Sequence, residues 1–470
     1  MNLTLPGLPP LCITARITTL LALIVGLVLI HLVPPMQSPD EGAHLLRAYL
    51  WSHGKVIMDA PPGKVSGGAT DVGLIRYAQG NSQITYHPDI KRTQADQDTA
   101  NHLAWQDNYA FVGVGGIASY FPAIYTPQAA GLFVGEHLRL SIATSYWLAR
   151  LFAMLAVIGL VLLAHRIHPL GWPTLVLLAM PMSVFQAAMA TQDGIADALT
   201  LLCACLFLRG MDKASTYPRW MSVALGLGLF VLASAKPNML PLLIFPLAIG
   251  WRRGSKADYL AFALAMAVTL AWTAIAMKTT VDLRVVRPHS TGYYLTHYLT
   301  HPLDFAHKVS TTLTDSTTQR FYLRSFVGIL GWLEMPLPTA FYWFTYGVLL
   351  SLTACALVGH GGDRPKMAPA IGALAASGAM LLIFLGLLVS WTPEQAALID
   401  GIQGRYFIAP TLLLVQALAP RSGEGRWARL PFGVVCCYVA AAAWVMLPML
   451  AARYQIVPGT TPVLNWNVAQ

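Results

Sequence analysis

Charge is scarce in this chain of 470 residues: Asp, Glu, Lys and Arg make up 11% of it, against about 25% in soluble domains, while 56% is hydrophobic. That balance excludes a soluble globular fold. Cysteine is equally sparse. All six (Cys12, Cys203, Cys205, Cys355, Cys436, Cys437) lie in or beside apolar runs, with no metal-type spacing backed by histidines and no disulfide framework in the polar loops. Internal repeats and low-complexity tracts are missing too, which weighs against secondary transporters built from repeated halves. Acids are outnumbered 21 to 30, for a formal charge of +9. That excess would suit nucleic acid, but the Lys and Arg fall in short clusters between apolar runs, where they set membrane orientation. Nucleic-acid binding is therefore excluded. The N-terminal apolar run has no A-x-A-like cleavage site and is long enough to span, so a retained first helix is expected.

What the chain does have is apolar runs long enough to cross a hydrocarbon layer of about 30 Å. They predict an all-α polytopic membrane protein of about eleven spans. The expected spans run Cys12–Val33, Ile142–Ala164, Trp172–Ala190, Gly194–Leu208, Trp220–Ala235, Met239–Trp251 and Tyr259–Met277. Four more follow at Phe341–Val358, Ala368–Trp391, Tyr406–Leu418 and Leu430–Ala451. With a cytoplasmic N-terminus, the short cytoplasmic connections carry Arg166; Arg209, Lys213 and Arg219; Arg252, Arg253 and Lys256; Arg364 and Lys366; and Arg421, Arg426 and Arg429. Two long segments, 34–141 and 278–340, then lie outside, as does the C-terminus from about Arg453. Within the first, Tyr120–Leu138 reads as an aromatic, amphipathic stretch lying along the membrane surface.

The most informative stretch follows the first span. Ser38 suits an N-cap, Pro39 the first helical position, and Glu41 completes a Ser-x-x-Glu capping box. On that helix Asp40, His44 and Arg47 recur at i, i+4 and i+7 and share a face just beyond the bilayer. The plainer reading is that the acids complement the helix N-terminus while His44 and Arg47 face water or lipid phosphates. A second acidic point is Gln192-Asp193 with Asp197 one turn on, inside the membrane, where acids are costly. Here the plainer reading is a cap at Asp193 and a pair between Asp197 and Arg150. Lys236-Pro237 ends a span with a cation, Arg320 and Arg324 precede a Gly-spaced aromatic stretch, and Gln403-Gly404-Arg405-Tyr406 sits at a span mouth, where Arg405 could fork onto phosphate oxygens or simply anchor the helix. Acids and cations from distant loops gather on one face, as expected of a site for an anionic amphiphile entering from the lipid.

Pro39-Asp40-Glu41-x-x-His44-x-x-Arg47-Ala48-Tyr49, Tyr125-x-Pro127, Gln192-Asp193, Lys236-Pro237, Leu330-Gly331-Trp332 and Gln403-Gly404-Arg405-Tyr406 resemble, in that order, the bacterial membrane family numbered 2142 among domains of unknown function. This family lies near the GT-C glycosyltransferases. The resemblance implies a single GT-C-like domain over residues 1–470 in the bacterial cytoplasmic membrane. It also implies a polyprenyl-phosphate-sugar donor and a glycan or lipid acceptor beside the membrane lipids. An essential acid in the first external loop falls on Asp40 or Glu41. Asp40 is favoured as base because Glu41 has the competing capping role. Arg405, with Lys236 and Arg324 behind it, would hold the departing phosphate. His44, Arg47, Gln192, Gln403 and Tyr406 would contact substrate, and Asp193 would orient the acceptor or support a metal. No metal signature is decisive and no cofactor is expected, with a divalent cation left open. A lipid-linked glycan flippase and a non-catalytic envelope-assembly scaffold are the alternatives. The first would lose translocation and keep sugar transfer on charge neutralisation, and the second would tolerate every such change.

Overall fold

Without water in the hydrocarbon layer, each backbone N–H and C=O must find its partner inside the segment, and apolar runs of this length become helices. The computed structural model describes residues 13–358, 367–418 and 429–467. Cys12, Arg364, Lys366, Arg421, Arg426 and Gln470 lie outside the described residues, as does the side chain of Arg429.

The first helix, α1 (Ile13–Leu32), leads into a folded segment made of α2 (Glu41–Ser52), β1 (Gly67–Asp71), α3 (Val72–Ser82), α4 (Gln94–His102), β2 (Tyr109–Gly113) and α5 (Thr126–His137). There follow α6 (Ile142–Ile167), α7 (Trp172–Leu178), α8 (Pro181–Ala188), α9 (Asp193–Met211), α10 (Arg219–Ala235), α11 (Ile244–Arg253) and α12 (Lys256–Thr279). The second long segment holds α13 (Thr291–Thr300), α14 (Pro302–Thr314), α15 (Ser316–Val327) and the short pair β3 (Ile329–Leu330) and β4 (Met335–Pro336). The chain closes with α16 (Thr339–Val358), α17 (Met367–Ser390), α18 (Ile408–Leu418) and α19 (Arg429–Tyr454). Among the described residues, six helices (α6, α9, α12, α16, α17 and the Leu430–Tyr454 part of α19) are long and apolar enough to cross a membrane. The protein is a polytopic all-α membrane protein.

Three expected spans depart from a single α-helix. Trp172–Ala190 is broken at Met180, because Pro181 has no N–H to donate and drives the residue before it into an extended conformation (φ −59°, ψ 143°). The stretch expected at Met239–Trp251 opens as a 3-10 turn, Pro237–Leu243, with Pro241 inside it, before α11 begins. The one expected from Tyr406 opens with a 3-10 turn at Gly404–Phe407.

The stretch Tyr120–Leu138, expected along the membrane surface, packs in large part on protein. Its helical part, α5, forms an antiparallel hairpin with α6, in which a Cβ on Gly131 would strike the Ala149 backbone at 2.5 Å and one on Gly135 the Ser145 hydroxyl at 2.1 Å. Two glycines thus let the helices meet backbone to backbone, and they bury Gln128, Ala129 and Leu132 between them.

The tail beyond α19 returns to the first segment. Thr93 and Val457 form a parallel bridge, and Asp96 accepts from the Val463 and Leu464 amides (3.2 and 3.0 Å) and from Trp466 Nε1 at 3.1 Å. The ends of α1 and α19 therefore share one side. At the other end of α9, Arg209 donates to the Ile167 carbonyl and Arg253 to those of Gly210, Asp212 and Ser215, cations closing helix C-termini as the macrodipole favours.

Candidate functional site

Two neighbouring acids, Asp40 and Glu41, have opposite fates. The helix starts at Glu41, two residues later than the capping reading places it. Only half the box forms: Ser38 N donates to Glu41 Oε2 at 3.3 Å, while the Ser38 hydroxyl is buried without a partner. Glu41 is fully buried and accepts from Tyr146 Oη (2.6 Å), Arg150 Nε (3.1 Å), Arg150 Nη2 (3.0 Å) and the Ala190 amide (2.9 Å). Arg150 also donates to the carbonyls of Val33 and Pro34. This cluster ties the end of α1 to α6 and to the turn before α9, and it occupies both oxygens of Glu41. The pair expected between Asp197 and Arg150 does not form, because Glu41 takes the guanidinium.

Asp40 turns the other way. Its backbone is left-handed (φ 63°), a conformation that Asp tolerates and that places the side chain outside the helix. Its carboxylate is 40% exposed, and Oδ2 accepts from Arg405 Nη2 at 3.0 Å. Arg405 is itself buried, with Nη1 on Asp193 Oδ2 (2.9 Å) and Nε on Gln403 Oε1 (2.7 Å). Its guanidinium lies over the Tyr406 ring, 5.2 Å from the centroid. Asp193 completes the chain, accepting from Lys236 Nζ at 2.7 Å and Gln186 Nε2 at 3.1 Å. Two carboxylates and two cations thus alternate: Asp40, Arg405, Asp193, Lys236.

This arrangement corrects the open phosphate fork expected of Arg405 and places Asp193 beside it. Arg405 has its planar fork between two carboxylates, so it is a brace for Asp40 and not an open phosphate clamp. Asp193 holds two cations and an amide, so its carboxylate is engaged within the charge chain. Gly404 is where the chain meets α15: a Cβ there would lie 2.0 Å from the Tyr322 carbonyl, so the glycine admits that backbone, and its amide donates to Ser325 Oγ at 2.8 Å.

The remaining expected residues divide. His44 joins the cluster from below: its Nδ1 lies 2.7 Å from the Tyr125 hydroxyl, and burial holds its pKa down at about 4 despite the nearby carboxylates of Asp193 and Asp40. The imidazole is neutral at pH 7. Arg47 is fully buried and donates to the carbonyls of Lys55, Val56 and Tyr120 (2.9, 2.7 and 3.1 Å), so it pins the first segment and faces neither water nor lipid phosphate. Gln192 is buried just before α9 with Oε1 unpartnered. Arg324 sits apart, over the Tyr342 ring and 3.4 Å from Thr339 Oγ1. Among the described residues, no group of three His, Cys, Asp or Glu is placed to hold a metal ion.

Sequence reasoning missed three neighbours of Asp40. The phenols of Tyr86 and Tyr120 are pushed up chiefly by burial, with the carboxylate of Asp40 adding to it, and Arg284 is held charged chiefly by its hydrogen bond to Asp282, with Asp40 adding to it. None of the three was singled out by its local sequence, whereas Tyr406, expected beside Arg405, lies under its guanidinium. Arg284 is packed against Gly115 and Gly116 from the first segment and lies 4.9 Å from the Trp391 ring centroid, an arrangement no local spacing reveals.

A family model described as "Predicted membrane protein (DUF2142)" matches residues 23–415. No curated protein matches the chain.

Proposed function

This chain belongs to the DUF2142 family of membrane proteins, and on that premise we propose that it is a GT-C-type glycosyltransferase that moves a sugar from a polyprenyl-phosphate donor to an envelope glycan or lipid. One observation carries the reading: Asp40 is the only carboxylate of the four-charge chain that is open, and a buried Arg405 holds it in place. Transfer needs a base for the acceptor hydroxyl and positive charge for the departing phosphate. The acceptor oxygen attacks the anomeric carbon, its proton passes to Asp40, and the carbon–oxygen bond to the phosphate breaks with its electron pair leaving on polyprenyl phosphate. Arg405 positions the base. Arg284, within electrostatic reach of Asp40 and 43% exposed, would meet the leaving phosphate with the part of its guanidinium that Asp282 does not hold.

The reading includes about eleven membrane passes in the bacterial cytoplasmic membrane. The N-terminus is cytoplasmic, and segments 34–141 and 278–340 and the C-terminus lie outside. The test is transfer of label from radiolabelled polyprenyl-phosphate sugars to glycan acceptors by the reconstituted protein and its Asp40→Asn variant. Loss of transfer with lipid binding kept supports the enzyme. Transfer unaffected while lipid translocation is lost would assign a flippase, and tolerance of all charge-neutralising changes a scaffold.

A further inference from the structure

Away from the Asp40 chain, one buried cation stands without a hydrogen bond or an ion pair among the described residues. Arg92, in the turn before α4, is 6% exposed, and among the described residues its guanidinium makes no hydrogen bond or ion pair; Nε is buried with no partner at all. Leaving a charged donor unsatisfied in this way is costly, so such a group points to an acceptor from outside the chain. Arg92 lines a groove of about 420 Å³, within the range of about 300–1,000 Å³ typical of ligand clefts. Trp147 lines it too, with its indole Nε1 buried and likewise without an acceptor. Gln97 and Asn101 add amide donors, and Ile30, Val33 and Tyr77 form an apolar wall. The groove is thus rich in donors.

Other charges near Arg92 are already engaged. Asp96, close enough to favour its charged form, has its oxygens on Thr93, Val463, Leu464 and Trp466. Arg150, on the groove wall, is held by Glu41, and Lys91 donates to the carbonyls of Ala452 and Arg453 at the end of α19. Position identifies the source of the missing acceptor. The groove opens where the apolar helix α1 ends and where α6, long and apolar enough to cross a membrane, begins, and α1 exposes Leu20, Ile24 and Val28 in a stripe at i, i+4 and i+8.

We propose that this groove binds the phosphate headgroup of an anionic phospholipid, with Arg92 and Trp147 donating to its oxygens and the acyl chains lying on the α1 stripe. Binding here is independent of sugar transfer at Asp40. The experiment is native mass spectrometry of the full chain in detergent, titrated with phosphatidylglycerol or phosphatidylcholine. The wild type should retain one phosphatidylglycerol at least about fivefold more tightly than phosphatidylcholine. Arg92→Gln should abolish that preference, and Ala143→Trp, which puts a large side chain in the groove and keeps Arg92, should abolish retention. Ala143→Trp decides the matter if Arg92→Gln fails to fold. An unchanged preference in the folded variants overturns the proposal. Arg92-dependent binding of inorganic phosphate, with no preference between the lipids, would assign a soluble anion and overturn the lipid assignment.

Discussion

Arg405 and Asp40, separated by 365 positions in the chain, meet through Nη2 and Oδ2 at 3.0 Å, while the same guanidinium grips Asp193 through Nη1. A buried brace holding a half-open carboxylate has consequences that differ for each member of the chain.

Asp40→Asn should leave the fold intact, since the carboxylate is 40% exposed and caps no helix amide. Turnover should fall by about 10²- to 10⁴-fold, the usual contribution of a general base. Initial rates at saturating donor, with thermal unfolding as the control, check both halves. Near-wild-type turnover removes Asp40 from the base role.

Glu41→Gln should do the reverse. Removing one member of a buried, hydrogen-bonded ion pair costs about 3–5 kcal/mol, because Arg150 is left charged among the carbonyls of Val33 and Pro34. The expected result is a lower melting temperature and poor yield, with partial recovery in the double variant Glu41→Gln/Arg150→Met. A stable Glu41→Gln protein with abolished transfer would shift the base role to Glu41.

Arg405→Lys separates brace from clamp. A lysine keeps the charge but has no planar fork, so it can neutralise Asp193 and cannot reach Asp40 with the same geometry. Turnover should drop while donor affinity changes little. A selective loss of donor affinity would mean that Arg405 binds the phosphate directly.

The pH dependence of stability should carry the mark of His44. Its folded pKa, about 4, lies below the unfolded value of about 6.5. Between these values the unfolded chain binds more protons, so stability is complete above about pH 6.5 and falls as pH drops towards 4. In His44→Gln the slope over that window should shrink, measured by denaturation midpoints at matched ionic strength. An identical slope in the two proteins contradicts a buried neutral imidazole.

Cysteines placed at Val56 and Val463 test sidedness together. The tail docks on the first segment through Asp96, so both positions should react with the same impermeant thiol reagent from outside. Labelling of one without the other would break the proposed topology.

Much of this was legible in the chain itself. Apolar runs specify helices because a lipid-exposed backbone has no other way to satisfy its donors and acceptors, and residues at helix ends reveal themselves by prolines, acids and cations beside those runs. Asp40, Asp193, Lys236 and Arg405 all fall at such ends. Pairing is another matter. Asp40 and Glu41 carry the same local signal, yet α6 packs on α1 and brings Arg150 to Glu41, while the turn before α18 brings Arg405 to Asp40. Local sequence sets which groups reach a helix end. Which acid is neutralised in the interior and which stays open depends on which helices pack there, because a buried charge takes whatever partner lies within about 4 Å, and that distance is set by contacts between residues hundreds of positions apart.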